Sequence, residues 1–337
     1  MDLTTTYLGL QLANPLIASA SPLSHTLDGV RRLADAGVGA VVLHSLFQEE
    51  IEVEAERYAR LTWAGSERFA ESLTYFPEAP RTDAVARDYL SLLERASSVV
   101  DIPVIASLNG TTASGWTAYA RAMADAGAAA IELNTYHLPA DPSVWGGDVE
   151  ERYVEIVDLV KATVALPVAV KLSSYLSSPA NMALRLADAG ADGLVLFNRF
   201  FQPDIDPEGL AVVPGVDLSS PAEGRVPRTW IALLRRQVRV DLAGTTGVEG
   251  PDDLVKYLLA GADVVMSASA LLRHGPDHAQ VLLAGLAAWM AQRGLRRLGE
   301  LRGMFAVPPD VDATVHERAS YVAALRAANA GGGDRQW

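Results

Sequence analysis

Short apolar runs that end in a polar side chain recur along this chain, each followed by a longer stretch with helical periodicity. Val104-Ile105-Ala106-Ser107-Leu108-Asn109, Ile131-Glu132-Leu133-Asn134, Val168-Ala169-Val170-Lys171 and Val195-Leu196-Phe197-Asn198 show the pattern most clearly. It predicts strands over 15–18, 39–43, 104–107, 129–133, 168–171, 193–197, 239–243 and 263–266, with a first helix over 27–36. Strands alternating with helical stretches in this number match a closed α/β barrel, the (β/α)8 TIM type. Ligands sit at the C-terminal ends of the strands in such a barrel, so the four polar endings predict one convergent pocket.

An internal phrase supports the count. Ala34-Asp35-Ala36-Gly37, Ala124-Asp125-Ala126-Gly127, Ala187-Asp188-Ala189-Gly190 and Leu259-Ala260-Gly261 each close a helix at a glycine suited to the left-handed cap, and a strand follows at once. Two long insertions at strand ends break the repeat. Residues 47–80 are charged at first and then carry Trp63, Phe69, Tyr75 and Phe76. Residues 199–225 hold Pro203, Pro207, Pro214 and Gly215 around a short alternating run from Leu210 to Val213. Excursions of this length form lids or partner surfaces, so both are candidate surfaces for a homodimer or a redox partner protein. No linker long enough to separate two domains interrupts the chain, which reads as a single domain. Residues 326–337, with Gly331-Gly332-Gly333, read as a flexible C-terminal tail.

Composition narrows the functions. Half of the 337 residues are hydrophobic, enough for a large buried core. The formal charge of -13 disfavours nucleic-acid backbones and basic attachment to a membrane surface. Cysteine is absent, which excludes disulfides, iron–sulfur ligation within this chain, thiolate zinc sites and cysteine catalysis. No His-x-x-x-His pair or carboxylate cluster falls at a strand end, so no metal site is expected. Met1 to Thr6 lacks the basic-then-apolar pattern of a signal peptide, and no run of about 18 apolar residues is present. A cytoplasmic protein acting on a small molecule is expected.

The polar endings carry the candidate chemistry. Ala243-Gly244-Thr245-Thr246-Gly247-Val248 follows the seventh strand and Ser267-Ala268-Ser269 the eighth. Small residues there let backbone N–H groups approach a phosphate. Either motif alone reads equally well as a tight turn that needs glycine. Together, on neighbouring late strands, they favour a phosphate carried by a substrate or by flavin mononucleotide. Lys171 ends an otherwise apolar strand, where an ammonium without a partner is costly. It could serve as a Schiff-base nucleophile, a phosphate ligand or a donor to the pyrimidine edge of a flavin. Asn134 and Asn198 end the flanking strands, and each brings a donor and an acceptor suited to the amide edge of a planar heterocycle. His137 follows Asn134 by three residues and His44 ends the second strand. Either could be an acid or base near neutral pH, and either could equally be bonded to a loop carbonyl. His25, His274, His278 and His316 have no supporting neighbours. No Gly-x-Gly-x-x-Gly follows a strand, so nothing supports direct nicotinamide binding.

Taken in order over the eight strands, these motifs resemble the dihydroorotate dehydrogenase family, flavin enzymes on the same barrel. Leu8-Gly9-Leu10-Gln11-Leu12-Ala13-Asn14-Pro15 is similar to the family's Gly-Leu-x-Leu-x-Asn-Pro opening. Glu132-Leu133-Asn134, Val170-Lys171-Leu172, Gly244 to Val248 and Ala268-Ser269 also correspond, and the likeness runs to about Leu272. It implies a flavin-binding barrel over residues 1–325 that uses flavin mononucleotide (FMN) to oxidise a CH–CH bond. Where the family activity is kept, that reaction takes dihydroorotate to orotate in pyrimidine biosynthesis. It also implies that Ser19, Ala20, Ser21, His44, Ser45 and Asn109 line the flavin and that Asn134, Lys171 and Asn198 hold its ring. Gly244, Thr246, Gly247, Ala268 and Ser269 would bind its phosphate, and Ser72, Asn134 and Asn198 would face the substrate.

The substrate loops depart from the family. Its Asn-x-Ser-Cys-Pro-Asn, whose cysteine (serine in other members) takes a proton from the substrate, is here Asn134-Thr135-Tyr136-His137-Leu138-Pro139. His137 therefore falls at the catalytic position and the second asparagine is lost. The family's Lys-Ser after the second strand becomes His44-Ser45, and its Asn-x-x-Gly-x-Pro-Asn becomes Ser72-Leu73-Thr74-Tyr75-Phe76-Pro77-Glu78. Each lost amide donor leaves a buried ligand atom unpaired at a cost of about 1–3 kcal/mol. A divergent branch acting on a small planar substrate is expected, with His137 as base and Lys171 stabilising negative charge on the reduced ring. Two other readings stay open: a Schiff-base aldolase or lyase working through Lys171, and a non-catalytic flavin-binding subunit of a redox complex.

Overall fold

The computed structural model describes residues 1–51, 53, 84–110, 112–137, 139–199, 203–213, 215, 217–311 and 313–330. An N-terminal hairpin, β1 (Thr5–Tyr7) and β2 (Leu10–Leu12), leads into the first barrel strand, β3 (Leu16–Ala18). The barrel continues through β4 (Ala40–Phe47), β5 (Val104–Asn109), β6 (Ala130–Asn134), β7 (Val168–Leu172) and β8 (Gly193–Leu196). A second hairpin, β9 (Asp204–Asp206) and β10 (Ala211–Val213), stands outside it. Two more barrel strands follow, β11 (Asp241–Gly244) and β12 (Val264–Ser267). The order β3-β4-β5-β6-β7-β8-β11-β12 closes on itself, and every neighbouring pair is parallel. All eight strands expected from the apolar runs are present, in a (β/α)8 barrel.

Successive barrel strands are joined by α1 (Leu27–Asp35), α2 (Ala84–Val99), α3 (Ala113–Asp125), α4 (Gly146–Thr163), α5 (Pro179–Asp188), α6 (Arg225–Leu234) and α7 (Pro251–Ala260). Thr26 and Thr112 cap α1 and α3, accepting from the N–H groups of Gly29 and Gly115. At the other end of four helices Gly37, Gly127, Gly190 and Gly261 sit at φ +88, +87, +95 and +121°. A positive φ turns the chain sharply from helix to strand, and a side chain there would be strained. The repeated phrase is thus a repeated cap.

Apart from a bulge in β4, the strands alternate between two environments. Ile131, Leu133, Val168, Val170 and Leu194 pack outward against the helices, while Ala130, Ala169, Val195, Ala243 and Met266 fill the barrel interior. Tyr7, Leu8 and Leu12 of the first hairpin join that inner cluster, and the Leu8 N–H is bonded to Asp241 at 2.7 Å. Small inner residues leave room for the tyrosine ring, which plugs the end where the strands begin.

The second hairpin belongs to the 199–225 excursion and carries exposed apolar residues, Ile205, Leu210 and Val212 among them. An alanine-rich helix, Ala313–Ala330, extends into the segment 326–337 read as a tail, as its helix propensity favours. Residues 331–337 lie outside the described residues, as do Ser72 and the aromatic part of the 47–80 segment. Among the described residues no helix is long and apolar enough to cross a membrane, and no cluster of His, Asp and Glu is arranged to hold a metal ion.

Candidate active site

A cavity of about 320 Å³ opens at the C-terminal ends of the barrel strands. Its floor is built by the inward-facing last residues of β6 and β7. Asn134 and Lys171 are register partners across those two strands, and Asn198 follows β8, with its N–H bonded to Leu172 O at 2.7 Å. The Asn198 amide donates to Asn134 Oδ1 at 2.7 Å and, more weakly, to Lys171 O at 3.4 Å. Asn134 Nδ2 in turn donates to Ser45 Oγ at 3.4 Å, and Ser45 Oγ lies 2.8 Å from Ser107 Oγ. Thr135 donates its hydroxyl to Lys171 O at 3.0 Å. Lys171 Nζ donates to Glu132 Oε1 at 3.2 Å from beneath the floor. The ends of five strands, β4 to β8, are therefore tied at the level where a ligand would rest.

The opposite wall comes from the late turns. Thr246 and Gly247 both have positive φ, +78 and +68°, and the Tyr257 hydroxyl lies 2.6 Å from each of the carbonyls of Thr245 and Thr246. Gly247 donates its N–H to Ser219 Oγ at 3.1 Å. Ser219 is buried and also bonds to Ser269 Oγ, through its N–H at 3.0 Å and its hydroxyl at 2.9 Å. Ser219 thereby joins the two glycine- and serine-rich turns to the excursion. Arg199 ties the same excursion to the rim: its Nε and Nη2 reach Glu223 Oε1 at 3.2 and 3.0 Å, and its Nη1 donates to the carbonyl of Asp217.

Of the residues singled out in the sequence, Ser19, Ala20, Ser21, Ser45, Asn134, Lys171, Asn198, Thr246, Gly247, Ala268 and Ser269 line this one cavity. Gly244 does not line it. A Cβ there would come within 2.2 Å of the Tyr257 ring, so this glycine serves packing behind the turn. Asn109 is buried at the end of β5 without reaching the cavity. His44 is also elsewhere, and the cause is local. The pairing of β4 with β5 slips between Val42 and Ser45, a bulge that reverses which side chains face inward. Ser45 enters the cavity, while the His44 ring packs 3.9 Å from that of His25, with Nδ1 3.4 Å from Ser24 O. Burial first, and the neighbouring His25 second, hold the His44 imidazole below its usual range. His137 is exposed on the loop beyond Asn134 and outside the cavity lining. Partial burial and then the positive charge of Arg152 lower its proton affinity, so the neutral ring is favoured.

Arg199 and Ser219 were not singled out from the sequence, and Glu132 and Thr245 stood within quoted motifs without a role of their own. A signal for Glu132 existed, because a carboxylate two positions before Asn134 must share its inward face. Ser219 and Arg199 lie in the irregular excursion, where no periodicity says which side chain turns inward.

The cavity lining contains two cations, Lys171 and Arg199, and among the described residues no carboxylate. Each cation is paired with a carboxylate outside the lining, Glu132 and Glu223, so the surface a ligand meets offers N–H donors and no acidic group, which suits an electron-rich or anionic ligand.

The sequence model of the dihydroorotate dehydrogenase family matches residues 2–290. The chain belongs to that family. Its named relatives are distant. The NAD-dependent dihydropyrimidine dehydrogenase subunit PreA of Escherichia coli (strain K12) is 24% identical over 319 residues, covering 90% of this chain and 76% of that protein. The catalytic subunit of dihydroorotate dehydrogenase B (NAD(+)) from Desulforudis audaxviator (strain MP104C) is 29% identical over 304 residues, or 88% of this chain and 94% of that one. The corresponding subunit of Methanothermobacter thermautotrophicus is 26% identical over 320 residues, covering 90% and 98%. Family membership makes the chain an oxidoreductase of the dihydroorotate or dihydropyrimidine dehydrogenase type.

Proposed function

We propose that the chain is an FMN-dependent oxidoreductase that oxidises a CH–CH bond in a small planar cyclic amide. The observation that carries this reading is the donor set. An ammonium and two linked carboxamides share the cavity floor, and hydroxyls and glycine-rich turns form the opposite wall, with no carboxylate among the described lining residues. That set fits a flavin: Lys171, Asn134 and Asn198 would hold the heteroatom edge of the ring, and Thr246, Gly247, Ser269 and Ser219 its phosphate. When bound, FMN supplies the hydride acceptor. Lys171 offers a fixed positive charge at the floor, and its bond to Glu132 supports a donor role over a Schiff-base one. A histidine on the loop after β6, His137 by position, would take the accompanying substrate proton on an unprotonated ring nitrogen.

Dihydroorotate and an unsubstituted dihydropyrimidine are the substrates to try, which would give the protein a role in pyrimidine metabolism. The electrons would leave to a partner protein. Ile205 and Val212 of the outer hairpin offer that partner, or a second copy of this chain, an apolar surface. The first experiment is an absorbance spectrum of the purified protein, then anaerobic addition of each substrate. Yellow protein bleached by one of them is expected. Colourless protein that takes up no added FMN would reject the proposal, and bound flavin that no donor reduces would turn it into a binding subunit without turnover.

A further inference from the structure

Along β6 the inner face is occupied by Ala130, Glu132 and Asn134, while Ile131 and Leu133 pack against the helices. Glu132 is 1% exposed and lies outside the cavity lining, so it cannot touch a ligand itself. Its Oε1 accepts from Lys171 Nζ, and its Oε2 has no hydrogen-bond partner among the described residues. The charge of this carboxylate is also felt by the phenols of Tyr7 on β1 and Tyr89 on α2. Burial first, and the Glu132 charge among the lesser causes, raise both above the usual tyrosine range, so both stay neutral. Lys171 is thus the one opposite charge paired with Glu132 among the described residues.

A buried ion pair is poor evidence of a stability role, because packed apolar side chains of similar volume serve as well or better. The register partners of Glu132 on the neighbouring strands are uncharged, Ser107 on β5 and Ala169 on β7. The lysine is also unusual for this chain, whose 28 basic residues include only three lysines, Lys161, Lys171 and Lys256.

We propose that Glu132 is a positioning residue: it fixes the Lys171 ammonium at the cavity floor and sets how much positive charge a bound ring feels. The second half of this rests on the flavin reading, and the first half does not.

Glu132→Gln keeps the shape and the acceptor while removing the charge, and two measurements read the result. The first is competitive acetylation with limiting acetic anhydride above neutral pH, without added flavin, quantified by mass spectrometry with Lys161 and Lys256 as internal references. An ammonium deprived of its counter-ion gives up its proton more readily, so labelling of Lys171 relative to the references should rise about tenfold or more. An unchanged ratio overturns the proposal. If the glutamine variant does not fold, Glu132→Asp keeps the charge but withdraws it, and a smaller rise is expected; no rise overturns the proposal equally. The second is the reduction potential of added FMN bound to the protein, measured below neutral pH. Removing the carboxylate should favour the reduced form about tenfold, an upward shift of about 30 mV for a two-electron couple. Bound flavin with an unchanged potential refutes the charge-setting half. Wild-type protein that binds no FMN refutes the proposed function, and the acetylation ratio still decides the role of Glu132.

Discussion

The carboxamide of Asn198 donates to Asn134 Oδ1 at 2.7 Å, joining the ends of β6 and β8 over the intervening β7. Neither strand pairs with the other, so this bond is made by the side chains alone. It fixes two donor–acceptor groups side by side in the cavity that Lys171 also lines, and Asn134 is further steadied by Ser45. Asn198→Ala removes a ligand donor and leaves Asn134 without its orienting partner. Loss of one to two such bonds costs about 1–3 kcal/mol, or a 5- to 150-fold rise in the dissociation constant for FMN. Titration of the apoprotein with FMN, followed by flavin fluorescence, measures it. Equal affinity in the variant would show that the pair does not hold the ring.

His137 is predicted to act with the sign of a base whose proton affinity is depressed. Partial burial, then Arg152, lowers its pKa from the usual histidine value. The active form is the neutral ring, so the rate of flavin reduction should be flat above the ordinary histidine pKa of about 6.5 and fall only as the pH drops below it. His137→Ala should remove that acid limb and slow reduction about 10²- to 10⁴-fold while leaving FMN affinity unchanged. Stopped-flow reduction across pH is the measurement. A variant that keeps both the rate and the limb would move the proton transfer to another group.

How much of this was open to reading differs by level of structure. The strands were legible because apolar runs buried on both faces carry the signal in their own composition, and the helix ends because Gly37, Gly127 and Gly190 repeat one phrase. Asn134 and Lys171 were legible as a pair because both close such a run. His44 was not, because a one-residue slip in β4 is invisible in composition yet reverses the side-chain face beyond it. Ser219 was not, because its position follows from where the excursion folds back over Gly247, a contact set by tertiary packing. The helix over 313–330 was overlooked beside the glycines that follow it, although its alanines favour it.

Gly247 gives the sharpest test of the phosphate wall. Its φ of +68° is a conformation that side chains rarely adopt, and a Cβ would lie 2.6 Å from Ser220 O and 2.7 Å from Gly224 N. Both contacts are backbone atoms, so no side-chain rotation relieves them. Gly247→Ala must push the excursion away from the late turns, breaking the bond to Ser219 and opening the wall where a phosphate would rest. Strain of this kind costs on the order of 1–3 kcal/mol, which lowers the melting temperature by several degrees. Affinity for FMN should fall as well, and affinity for riboflavin, which lacks the phosphate, should fall less. Gly147 provides the opposite case: it lies within α4 and nothing approaches its Cβ within 4 Å. There an alanine should stabilise by about 0.5–1 kcal/mol and leave flavin affinity alone. Calorimetry and flavin titration of the two variants decide the matter. If Gly247→Ala melts like Gly147→Ala and still prefers FMN over riboflavin to the same degree, the turn does not form the phosphate wall.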